Sequence, residues 1–109
     1  MSREKIVEES LGLEDKIQKS YPGDLEGVSG SISMSKKKLL FISEKGLFSK
    51  SYNLVLDLPY EKINSLRTEG KYNLIIEDVE GLKHTFKSRE LSISIVEKAL
   101  REIREQEPS

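Results

Sequence analysis

The chain contains no cysteine, only one histidine, and no apolar run long enough to span a bilayer. Without thiols there are no disulfides, no thiolate nucleophile and no cysteine-ligated zinc or iron–sulfur centre. The amino terminus, MSREKIVEESLGLEDK, lacks the apolar segment of a signal peptide. No later run approaches the roughly 18–20 residues that a transmembrane helix requires. A soluble, cytoplasmic protein with no transmembrane segment is therefore expected. Charge of one sign is also missing in excess, since 18 Lys and Arg face 19 Asp and Glu. That balance ranks nucleic acid low among partners.

Catalytic signatures are absent as well. No glycine-rich loop is followed by lysine and serine or threonine, and the serines form no nucleophile elbow. The single histidine, His84, alternates with Leu82 and Phe86, which places it with apolar residues as a partly buried structural side chain rather than a base. A metal would need distant carboxylates such as Asp57 or Asp78 to converge, and their spacing matches no ligand pattern. The expectation is a protein that is not an enzyme, with no cofactor, no metal and no catalytic residue.

With 109 residues the chain fits one domain. Residues 3–20 suit a helix with Ile6, Leu13 and Ile17 on one side, although Gly12 costs about 1 kcal/mol within it. YPGD, residues 21–24, then reads as a break and a turn. Such a helix either caps the domain or meets a partner as an arm. This divides the chain into an N-terminal helical extension, 1–21, and a body, 22–106.

In the body the signals are short strands. Val28, Gly30, Ile32 and Met34 alternate with Ser29, Ser31, Ser33 and Ser35, giving one mostly apolar face and one hydroxyl face that suits solvent. Residues 39–43 form the next strand, SEKGLF supplies a hairpin, and Leu54, Leu56 and Leu58 share a side of the strand that Pro59 ends. Residues around Ile63, then Tyr72, Leu74 and Ile76, then LKHTFK continue the sheet. Six strands result, or seven with a short one at 24–27. Phe41, Phe48, Tyr52, Tyr60, Tyr72 and Phe86 are read as its core aromatics. Ile93, Val96, Leu100 and Ile103 then recur at helical spacing, marking an amphipathic helix over about 90–106 capped by Ser88 or Ser92, with Pro108 beyond it.

Between Lys36 and Lys50 there are five lysines and one acidic residue, Glu44. If the two hairpins share a rim, Lys36, Lys37, Lys38, Lys45 and Lys50 form a positive area suited to anionic headgroups or an acidic protein. A solvated turn is the competing reading.

YPGDLEGVSGSISMSKKKLLFIS, then LDLPYEKINSLRTEGKYNLIIEDVEG, HTFK and a terminal helix together resemble the pleckstrin-homology superfold, closest to its GRAM and bacterial PH-like branches. The resemblance spans residues 22 to about 105. It implies a mainly β fold, a partly open barrel of six or seven antiparallel strands with a C-terminal helix closing one end, here preceded by an N-terminal helix. It also implies an adaptor that recognises anionic lipid or a protein segment, and hence peripheral membrane association. The leading expectation is a non-enzymatic binding module for an anionic membrane surface or an acidic protein partner. The alternative is an assembly protein that forms a homo-oligomer through Ile6, Leu13 and Ile17.

Overall fold

Alternation of apolar and hydroxyl side chains makes residues 28–35 a strand, and burial of one face fixes the register of its neighbours. The computed structural model describes residues 2–105, in which seven antiparallel strands form one open sheet accompanied by two helices. The elements are α1 (Arg3–Leu11), β1 (Ile17–Leu25), β2 (Val28–Ser35), β3 (Lys38–Lys45) and β4 (Ser51–Pro59), followed by a 3-10 turn at Tyr60–Lys62. The chain continues through β5 (Ile63–Glu69), β6 (Asn73–Asp78), β7 (Lys83–Ser88) and α2 (Ile93–Glu105).

The strand order is β4-β3-β2-β1-β7-β6-β5, so β4 and β5, consecutive in sequence, sit at the two edges. Pro59, which has no N–H to give a ladder, is the last residue of β4, and the 3-10 turn carries the chain across to the opposite edge. All seven strands contribute to a single core: Leu25, Ile32, Leu39, Leu58, Ile63, Leu74 and Phe86 come one from each. The sheet is therefore curled around this core and open between β4 and β5. Phe41 and Phe86 meet edge-to-face inside it, with ring centroids 6.2 Å apart.

Helix α2 closes the core with Ile93, Val96, Ala99, Leu100 and Ile103, all buried. A 13-residue helix is marginal alone. Each large apolar side chain fully buried there contributes about 1.5–3 kcal/mol, so packing holds the helix. It starts at Ile93, later than the position 90 its periodicity suggested; residue 106 and Pro108 lie outside the described residues.

The N-terminal region departs from the sequence expectation. The helix expected over 3–20 stops at Leu11, where Gly12 takes φ 78° and its amide bonds Glu8. Ile17 and YPGD then belong to β1, not to a helix and a turn, and the boundary at residues 21/22 falls inside that strand. Glycine is needed here because β1 approaches β7 closely: a Cβ at Gly23 would lie 2.4 Å from the Lys87 carbonyl and 2.5 Å from the Phe86 ring.

Helix α1 also changes which strand faces are buried. Leu40 and Ile42 point away from the main core, yet both are inaccessible, and Ile6 of α1 is buried too. The helix lies over this outer side, tied down by Arg3 to Ser20 and Ser33 and by Lys38 to the Ser10 carbonyl. The hydroxyl face of β2 consequently does not face solvent throughout: Ser29 is exposed, but Ser33 and Ser35 are fully buried.

Candidate anionic-surface site

The lysine turn is built around a carboxylate from elsewhere in the chain. Asp15, in the link between α1 and β1, is 8% exposed and accepts hydrogen bonds from the Ser35 hydroxyl (2.7 Å) and the amides of Lys16, Lys36 and Lys37 (2.9, 3.0 and 3.3 Å). Ser35 Oγ in turn accepts from the amides of Lys37 and Lys38, a local side-chain turn that spares the loop a glycine. The Tyr60 hydroxyl donates to the Ser35 carbonyl from below.

The backbone of this turn therefore already holds an anion, the chain's own. The side chains divide. Lys38 is half-buried and paired with Asp57 at 3.2 Å while donating to Ser10, whereas Lys36 and Lys37 are exposed, without an ion-pair partner among the described residues.

Lys45 and Lys50 do not join them on one rim. Lys38 begins β3 and Lys45 ends it, so the two hairpin loops stand at opposite ends of an eight-residue strand. At about 3.3 Å per residue the separation is roughly 23 Å. At the far end, Lys50 pairs with Glu44 at 3.2 Å, and Lys45 has no carboxylate partner among the described residues. The Lys50 ammonium and, next, the Tyr52 hydroxyl hold the Glu44 carboxyl below its usual value.

Between those lysines the loop presents Leu47 and Phe48, 91% and 102% exposed. Phe48 thus leaves the set expected in the core; Tyr72 is exposed and Tyr52 half-buried on the outer face, while Phe41, Tyr60 and Phe86 are buried. The tip is shaped by Gly46 at φ 108°, where a Cβ would meet the Ser49 carbonyl at 2.2 Å.

The three residues proposed as a partner-binding helical face are not on one helix. Ile6 is buried on α1, Leu13 lies beyond its end and is 99% exposed, and Ile17 is in β1. His84 is half-buried, its Nε2 3.1 Å from Asp78 Oδ2. That contact, helped by the amides of Leu82 and Glu80, holds the Asp78 carboxyl below its usual value. Asp57 and Asp78 line one hollow of about 260 Å³ with His84, but among the described residues no three His, Asp or Glu side chains are grouped to hold a metal. Among those residues no helix is long and apolar enough to cross a membrane.

Two participants escaped the sequence reading. Asp15 carries no local signal, because three of its four partners, Ser35, Lys36 and Lys37, are 20 to 22 residues away. Leu47 and Phe48 did carry one: an apolar pair beside a hairpin glycine, bracketed by lysines.

No protein-family profile and no curated protein matches the chain. Among solved structures it is similar to the C-terminal domain of an unknown protein from Leishmania infantum, at 10% identity and a TM-score of 0.67, covering 94% of this chain and 98% of that one. The superposition shows a shared fold and, at that identity, the fold alone.

Proposed function

We propose that the chain is a non-enzymatic binding or adaptor module of the pleckstrin-homology-like kind that docks on an anionic membrane surface by the end of the sheet bearing the β3–β4 loop. The seven-strand order, with α2 closing the core, supports the architectural part of this reading. The observation that carries the functional part is Lys45, exposed and without a carboxylate partner among the described residues, beside Lys50 on a loop with no acid between them.

A lysine near an anionic leaflet contributes about 1 kcal/mol. Lys45 and Lys50 together supply about 2 kcal/mol, less what Glu44 offsets. With the tip against the surface, Lys36 and Lys37 stand roughly 23 Å behind it, and at a Debye length of about 8 Å they feel roughly 5% of the surface potential. They steer weakly and do not hold. Lys38 is engaged with Asp57 and Ser10.

Co-sedimentation with phosphatidylserine-containing vesicles and with phosphatidylcholine alone tests the proposal. Binding should require the anionic lipid, weaken with added salt and fall in Lys45→Glu, but not in Lys36→Glu. Charge-independent binding, or none, would refute it and leave an acidic protein as the partner for these lysines. Assembly through α1 loses one of its three proposed contacts, because Ile6 is already buried against the chain's own sheet.

A further inference from the structure

We infer that Leu47 and Phe48 are a second, apolar contact that enters the interfacial layer of the bilayer on which Lys45 and Lys50 dock; this rests on the membrane reading above. Lysines alone leave binding weak and reversible, and stable attachment to a membrane takes two signals. The tip offers the second. Leu47 and Phe48 are consecutive, almost wholly exposed and at the apex of a hairpin loop whose turn is fixed by Gly46 against Ser49.

Their charge setting separates them from the other large apolar side chains that are more than half exposed among the described residues. Leu13 is followed by Glu14 and Asp15, and Val79 and Leu82 sit on a turn with Asp78 and Glu80, surroundings that an anionic surface repels. The charged side chains that flank Leu47 and Phe48 within their loop are both basic, Lys45 on one side and Lys50 on the other. The aliphatic stems of those lysines can follow the apolar pair inward while the ammonium groups stay among the phosphates.

The orientation is consistent. The acidic β6–β7 turn shares its hollow with Asp57 and Pro59, at the end of β4, whereas the tip precedes Ser51, at its start. Nine residues of strand place the two roughly 26 Å apart, so presenting the tip withdraws Asp78 and Glu80 from the surface. A convex apex suits a deformable bilayer, while a folded protein partner would need a pocket shaped to receive it.

The chain has no tryptophan, so Phe48→Trp places a single reporter at the apex. Added phosphatidylserine/phosphatidylcholine vesicles should shift its emission to the blue, and brominated acyl chains should quench it. Leu47→Ser and Phe48→Ser should each weaken vesicle binding about tenfold while leaving the thermal midpoint unchanged, since neither side chain packs in the fold. If Phe48→Trp co-sediments with vesicles but its emission neither shifts nor is quenched, or if both serine variants bind like wild type, insertion is refuted and docking by lysines alone survives. If the wild-type chain binds neither vesicle, the membrane reading itself falls. A concentration-dependent dimer abolished by Phe48→Ser would also overturn the inference, making the tip a contact between copies.

Discussion

Replacing Asp15 with alanine should loosen the lysine turn and the docking of the N-terminal segment together, because one carboxylate joins them. The variant removes the acceptor for the Ser35 hydroxyl and for the amides of Lys36 and Lys37. Part of the loss is cushioned: the Lys37 amide keeps Ser35 Oγ at 3.2 Å, and the Ser35 hydroxyl can turn fully to the Lys38 carbonyl, also at 3.2 Å. The amides of Lys16 and Lys36 have no second acceptor among the described residues and must find water. Hydrogen bonds to a charged group are worth about 1.5–3 kcal/mol, so with this cushioning the expected loss is about 2–3 kcal/mol. An unfolding entropy of about 2.1 cal/mol/K per residue over 109 residues converts that to a fall in Tm of about 10 °C. Calorimetry or far-UV circular dichroism reads it directly. Asp15→Asn, which keeps one acceptor oxygen, should lose about half as much, and Lys36→Ala, on an exposed side chain, should stay within about 0.5 kcal/mol of wild type. An Asp15→Ala midpoint within about 2 °C of wild type would refute the role assigned to this carboxylate.

Two further perturbations probe the fold elsewhere. Gly23→Ala forces a Cβ against the Lys87 carbonyl and the Phe86 ring, and should cost about 1–3 kcal/mol by urea titration; an unchanged midpoint would mean that β1 and β7 are not so close. His84→Ala removes the contact that chiefly depresses the Asp78 pKa. A carboxyl whose pKa is lower folded than unfolded stabilises the protein above its ordinary range, and loses that contribution as pH falls through the depressed value. The stability gap between wild type and His84→Ala should therefore be present at neutral pH and narrow on acidification below the ordinary carboxylate range, whereas a gap constant with pH would contradict the pairing.

What the sequence disclosed depended on whether one face or two had to be buried. α2 was legible because a stripe of Ile93, Val96, Leu100 and Ile103 meets one core, and β2 because its inner face alternates cleanly. The end of β4 was legible because proline cannot continue a ladder. YPGD was misread as a turn because its proline and glycine are turn formers locally, while their actual setting is long-range: Pro22 pairs across to Ser31, and Gly23 admits Phe86. The serine face looked solvent-facing because periodicity reports that a face is polar but not that Arg3 and Asp15 return to satisfy it. Of the five candidate lysines, the exposure of Lys36, Lys37, Lys45 and Lys50 followed from the pattern, but the half-burial of Lys38 and the division of the five between the two ends of β3 required the register. Phe48 was assigned to the core by residue type alone; its place at a hairpin apex overrides that preference.

The most direct test of docking by the β3–β4 end is an amide NMR titration of the labelled chain with lipid nanodiscs containing phosphatidylserine. The largest shifts and line broadening should fall on residues 44–51, with little change at residues 36–38 and along α2, and nanodiscs of phosphatidylcholine alone should leave the spectrum unaltered. Perturbations centred on α2 or on the Lys36–Lys38 turn, with residues 44–51 unmoved, would contradict docking by that end.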